Sequence, residues 1–384
     1  MGVVTGAQAK RKRSNEFEGS ANRINHEQVL CSIMSVFPTK NGARANIPSL
    51  SEAGRRLPRI RSGEHQAPHT VFWYDFRPCQ KSKRCFPAQY RDNIKYEEGF
   101  VVNSRGNRLF TCRWMPKALE PRALIFICHD TAARLVNSGF AVYGIDHEGH
   151  GKSSGPKGYI SNFSDVVKDC SDHFKSVCEK QENRSKKRFL YGFSMGGTVV
   201  LQLHRKDPLY WDGAVLLAPM CKIFDSMRPH PIVVSALKMI SAVVPSWRVI
   251  PATDMIDKVC KDPQFKKEIR SNPYMYKGNL ALQTGRELLT VSLDIEKNLH
   301  EVSLPFLVVH GTDDVVADPH GSKLLHERAS SRDKTLKLYP GMWHVLMGEG
   351  PEDVERVFGD VISWLEDRVG GTVPDSTTKR HEIW

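Results

Sequence analysis

A serine set among small residues, in Gly192-Phe193-Ser194-Met195-Gly196-Gly197, follows an apolar run and precedes a helical pattern. A strand–turn–helix of this kind pushes a hydroxyl out of a tight bend, and only small neighbours let strand and helix approach. The start of the helix brings backbone N–H groups and a favourable dipole to a developing oxyanion, so the Met195 amide is the expected donor. A serine hydroxyl is a weak nucleophile at neutral pH. It needs a general base, and the base needs an orienting carboxylate. Both follow in the order serine, acid, histidine that strand-end chemistry of this type requires. Gly311-Thr312-Asp313-Asp314 succeeds the apolar run 305–310, and Pro340-Gly341-Met342-Trp343-His344 succeeds the run 335–339. On position alone either Asp313 or Asp314 can be the acid. His344 is the only histidine between the last run and the C-terminal helical pattern. The chemistry expected is acyl transfer through a covalent serine intermediate, with no metal or organic cofactor called for.

The elements that must position these groups are legible as alternating patterns. Residues 100–103 and 109–114 alternate about Asn103-Ser104-Arg105-Gly106, which reads as a hairpin. Continuous apolar runs at 123–128, 140–145, 188–191, 214–218, 305–310 and 335–339 are interleaved with helical patterns such as 164–180, 195–204, 322–328 and 352–369. Short apolar runs separated by helices indicate parallel strands buried on both faces, hence an eight-stranded, mostly parallel doubly wound sheet. Right-handed crossovers put the strand C-termini, and the chemistry, along one edge. The rhythm breaks between strands 6 and 7. There residues 222–300, rich in Ile, Val, Met and Trp, read as an inserted helical cap whose apolar face suits an acyl or aromatic group. The glycines of 149–155 lack the spacing of a phosphate loop and read as a structural turn beside the same edge.

Composition narrows the function classes. The formal charge of +12 suggests a polyanionic partner, but residues 1–92 carry nine of those charges, with 16 Lys and Arg against 7 Asp and Glu. The body is nearly balanced, which argues against a nucleic-acid partner. Residues 1–92 show no sustained periodicity and read as a basic, poorly ordered extension; 93–369 form the folded domain and 370–384 a flexible tail. Lys10-Arg11-Lys12-Arg13 fits nuclear import, and Glu16 and Glu18 weaken an organelle transit reading without removing it. The nine cysteines include no C-x-x-C pair, which suits reduced thiols in the cytoplasm. No run of 18 apolar residues spans a bilayer, although the cap leaves room for peripheral membrane contact.

With these motifs in place, the stretch from Lys95 to Arg368 resembles the monoacylglycerol lipase-like α/β-hydrolases of plants. That group includes caffeoylshikimate esterases and lysophospholipase-like members. The resemblance rests on Gly149-His150-Gly151-Lys152-Ser153-Ser154-Gly155, on Gly192 to Gly197, on His310-Gly311-Thr312-Asp313-Asp314 and on Gly341-Met342-Trp343-His344. It implies the α/β-hydrolase fold, a lid at about 222–300, Ser194 as nucleophile and His344 as base. The acid of the family closes a Gly-x-x-Asp loop, which here is Asp314. The substrate implied is a small lipid ester such as a monoacylglycerol, with a phenolic ester as alternative. One departure stands out. After the third strand the family has His-Gly, an aromatic residue and about a dozen more, and this loop donates a second oxyanion amide. Here His129 is followed at once by Asp130-Thr131-Ala132-Ala133-Arg134. Residues 130–139 are barely enough for a crossover, so strain, a shortened strand or exposed core is expected. Loss of one donor costs about 10²–10³ in turnover, making a weakly active or non-catalytic relative a further alternative.

Overall fold

The computed structural model describes residues 93–370 except 128–131 and 251–255. The basic extension and the tail expected at the two ends lie outside the described residues, apart from Gly370. Strands β1 (Ile94–Val102) and β2 (Arg108–Pro116) form the expected antiparallel hairpin, closed by Gly106 at φ 82°. Next come β3 (Ala123–Ile127), helix α1 (Ala132–Asn137), β4 (Ala141–Ile145), α2 (Phe163–Cys178) and β5 (Lys187–Phe193). Then follow α3 (Met195–Lys206) and β6 (Gly213–Leu217). Among the described residues, four α-helices come between β6 and β7 (Phe306–Gly311): α4 (Pro231–Val243), α5 (Ile256–Val259), α6 (Pro263–Ser271) and α7 (Leu282–Lys297). Helix α8 (Pro319–Arg328), β8 (Lys334–Tyr339) and α9 (Pro351–Val369) complete the order.

The strands pair in the order β1-β2-β4-β3-β5-β6-β7-β8, antiparallel at β1–β2 and β2–β4 and parallel thereafter. This is the eight-stranded, mostly parallel sheet expected. Residues β3, β4 and β6 are buried throughout because successive side chains enter opposite layers. Ile125, Val142, Phe189 and Val215 meet α1 and α9 on one face. Leu124, Phe126, Tyr143, Leu190 and Leu216 meet α2 and α3 on the other, where Phe126 lies 4.8 Å from the Phe174 ring.

Two differences from expectation follow. Among its described residues, the short β3–β4 crossover exposes no core. Helix α1 is only six residues, but Ala132, Ala133, Leu135 and Val136 are all buried, and both flanking strands stay buried. Small and branched side chains let a helix of under two turns seat directly on the sheet. Moreover, the interval 222–300 is not uniform. Helix α7 buries Leu288, Val291 and Ile295 in the same cluster as the strand residues, so its last part belongs to the body of the domain.

Candidate active site

Ser194 joins β5 to α3 with φ 52° and ψ −118°, a conformation that costs a non-glycine residue about 1–3 kcal/mol. The bend survives because its neighbours have no side chain to clash. A Cβ on Gly192 would stand 2.4 Å from the Gly196 carbonyl oxygen, and one on Gly197 2.6 Å from Pro219 Cβ. Backbone bonds fix the turn on the next strand: Ser194 N–H donates to Leu217 O (2.9 Å), and Met220 N–H donates to Ser194 O (3.0 Å). Met195 opens α3, where the first-turn amides find no carbonyl within the helix.

The acid and base reach this hydroxyl from the ends of β7 and β8. His344 Nε2 lies 3.1 Å from Ser194 Oγ, and His344 Nδ1 lies 2.6 Å from Asp314 Oδ2. A carboxylate only accepts, so the network assigns the proton to Nδ1 and leaves Nε2 free to receive the serine proton. The Phe193 ring packs against the imidazole, with centroids 4.8 Å apart. Glycine again permits the approach of the two loops. A Cβ on Gly311 would fall 2.3 Å from the Met342 carbonyl oxygen. Of the two aspartates left open by position, Asp314 is buried and faces His344; Asp313 is exposed and accepts a bond from Thr312 Oγ1.

His310 enters this arrangement without having been singled out from the sequence. Fully buried on β7, it sets Nε2 2.9 Å from Asp314 Oδ2 and 3.2 Å from the Ala317 carbonyl, with Nδ1 2.7 Å from Ser322 Oγ. Both partners at Nε2 are acceptors, so Nε2 carries the proton and Ser322 donates to Nδ1. The signal was present as a histidine four residues before the acid, but its contact with Ser322 of α8 is a tertiary matter. The Asp314 Oδ1 atom accepts from Val316 N–H (2.7 Å) and Ala317 N–H (3.1 Å). Burial alone would push the Asp314 carboxyl up. The positive charge that His344 carries once both ring nitrogens are protonated, with the hydrogen bonds from His310 and His344, outweighs it and holds the group well below the ordinary carboxylate range.

The first residues of the β3–β4 link, 128–131, on which the expected loss of a second oxyanion amide turns, lie outside the described residues. The glycine-rich segment 149–155 is a self-bonded turn. Ser153 Oγ donates to Asp146 O and accepts from Phe110 N–H, and a Cβ on Gly149 would meet Pro156 O at 2.3 Å. Among the described residues no group of three or more His, Cys, Asp or Glu is arranged to hold a metal ion.

The Hydrolase_4 family model, described as serine aminopeptidase, S33, matches residues 125–351. The chain is 34% identical over 275 residues to a caffeoylshikimate esterase of Arabidopsis thaliana, covering 68% of this chain and 83% of that protein. It is 31% identical over 297 residues to a monoglyceride lipase of Mus musculus, covering 74% and 95%. A solved monoglyceride lipase variant from Saccharomyces cerevisiae, bound to a substrate analogue, shares the fold at TM-score 0.63. Its identity is 20%, over 72% of this chain and 96% of that one. These names lend no support to the alternative of a non-catalytic relative.

Because the folded-state affinity of Asp314 for a proton is depressed, its carboxylate stabilises the fold above the unfolded value of about 4. That contribution is lost as pH falls through the folded value. Urea unfolding below about pH 4 should therefore show wild-type stability declining more steeply with acid than that of Asp314→Asn. Equal slopes would contradict the assignment.

Proposed function

This chain belongs to the Hydrolase_4 family of α/β-hydrolases, and we propose that it cleaves carboxylic esters through an acyl-enzyme on Ser194. The observation that carries the reading is the continuous relay from Asp314 Oδ2 through His344 to Ser194 Oγ, at 2.6 and 3.1 Å. His344 takes the serine proton as Oγ attacks the ester carbonyl. It then returns that proton to the departing alcohol, and repeats the cycle with water to free the acid. Asp314 holds the imidazole in the right tautomer and stabilises the imidazolium, while the Met195 amide faces the oxyanion. The family description names a peptidase, but the relatives at 34% and 31% identity are named as an esterase and a lipase, which favours esters.

The substrate favoured is a monoacylglycerol. A phenolic ester of the caffeoyl type is the second reading, since the esterase relative carries that name. The cap is part of this proposal. Helix α4 presents Ile232, Met239 and Val243, 68%, 73% and 69% exposed, at spacings of seven and four residues, which is one stripe of a helix. Among the described residues no helix is long and apolar enough to cross a membrane, so contact through this stripe would be peripheral. The buried thiols of Cys112, Cys170, Cys178, Cys221 and Cys260 suit a cytosolic setting.

A fluorophosphonate probe should label Ser194 in the folded protein and leave Ser194→Ala unlabelled; a folded wild type that resists labelling would end the reading. Turnover of a monoacylglycerol should exceed that of a caffeoyl ester, and the reverse order would select the second substrate. Replacing Ile232 and Met239 together by Ser should weaken co-sedimentation with phospholipid vesicles without altering hydrolysis of a soluble short-chain ester. Undiminished sedimentation would remove the membrane contact.

A further inference from the structure

Two lysines, one after β6 and one between α5 and α6, grip the two loops that carry the acid and the base. Neither touches the reacting atoms. Lys261 Nζ donates to the Gly341 carbonyl (2.5 Å) and pairs with Glu349 Oε2 (2.9 Å). The Glu349 side chain is 1% exposed, and its Oε1 accepts from Trp343 N–H at 2.6 Å, the amide immediately before His344. The backbone reinforces this grip. Val345 N–H donates to Val259 O (2.9 Å), while Lys261 and Asp262 N–H both point to Gly348 O (3.2 and 2.9 Å). The whole base loop is thus bonded to residues 259–262 of the insertion.

The acid side has a matching brace. Lys222 Nζ, buried, pairs with Asp318 Oδ2 (2.9 Å) and Asp225 Oδ1 (2.8 Å). Asp318 caps α8 by accepting from His320 N–H, and it follows Ala317, whose N–H binds Asp314 and whose carbonyl faces His310. A Cβ on Gly321 would come 2.8 Å from Lys222 Cβ, so α8 sits directly against this segment.

Exposed ion pairs contribute little, and the Lys222–Asp225 pair is one of these, but Glu349 and Asp318 are buried or nearly so, and removing their partner would leave an uncompensated charge beside the catalytic loops. Resting on the serine-hydrolase reading, we propose that Lys261 with Glu349, and Lys222 with Asp318, are positioning residues that set the register of His344 and Asp314. The insertion is then a structural member of the catalytic relay. Its 259–262 segment stays with the base loop, and any lid movement is confined to the part around α4.

The test uses the full-length protein and a soluble p-nitrophenyl ester. Lys261→Met should lower kcat about 10- to 100-fold with KM little changed, as expected for displacement of a group acting through geometry. The low-field proton resonance of the His344–Asp314 hydrogen bond should shift or broaden in the same variant. Lys261→Met combined with Glu349→Gln removes both charges while keeping an acceptor for Trp343 N–H, and should recover most of the lost kcat. This neutral pair also serves if the single variant fails to fold. Asp318→Asn tests the acid side by the same readouts. Wild-type kcat and resonance in folded Lys261→Met, or a loss confined to KM, would overturn the proposal. The resonance reads the positioning even if no ester is turned over, which separates failure of this inference from failure of the serine-hydrolase reading.

Discussion

A carboxylate can be buried at the rim of a sheet only if its oxygens are met by donors. Asp314 satisfies that condition on every side: imidazoles from His344 and His310 on one oxygen, amides of Val316 and Ala317 on the other. The rest of the site follows from this. The filled shell keeps the group ionised, the ionised group fixes the His344 proton on Nδ1, and the bare Nε2 faces Ser194. Without that charge the imidazole could turn over in its pocket, and the hydroxyl would lose its base. His310 strengthens the arrangement from behind, anchored in turn by Ser322 on α8.

The sheet supplies convergence by crowding. Parallel strands bring Ser194, Asp314 and His344 to the same edge, but backbones must nearly touch there. Gly192 lets strand and helix close at the serine, and Gly311 lets the acid loop lie against the base loop. At both places a methyl group would collide with a carbonyl oxygen, which is rigid and has nowhere to go. The strained φ of Ser194 is sustained by the same crowding, because the turn is bonded to Leu217 at the end of β6 and to Met220 just beyond it.

Much of this was legible in the sequence because it is written locally. Gly192 to Gly197 announces a turn by its composition, and the aspartate and histidine each follow an apolar run in the order the fold demands. Distinguishing Asp314 from Asp313 needed either the family resemblance or coordinates, since adjacent residues share a strand end. His310 sits only four residues before the acid, but its anchoring contact with Ser322 on the next helix is set by packing. Lys222 and Lys261 reach remote partners: Asp318 lies 96 residues after Lys222, and Lys261 acts on a loop some eighty residues later, with nothing in its own neighbourhood to mark it. Apolar helical patterns look alike whether they face a pocket or a sheet, so nothing in the sequence divides the interval 222–300. Only packing reveals that α7 joins the core. Residue count alone points to exposed core at the β3–β4 link, but it carries no information on packing: the small side chains of Ala132 and Ala133 let α1 sit buried beside the strands.

In the proposed mechanism one imidazole, held by Asp314, takes the proton from Ser194 during acyl transfer. Stopped-flow mixing with p-nitrophenyl acetate should release a rapid burst of p-nitrophenol near one equivalent per folded chain, followed by slower turnover. In His344→Ala the rate of that burst should fall by about 10⁴-fold or more. A burst of undiminished rate in the histidine variant would contradict the account.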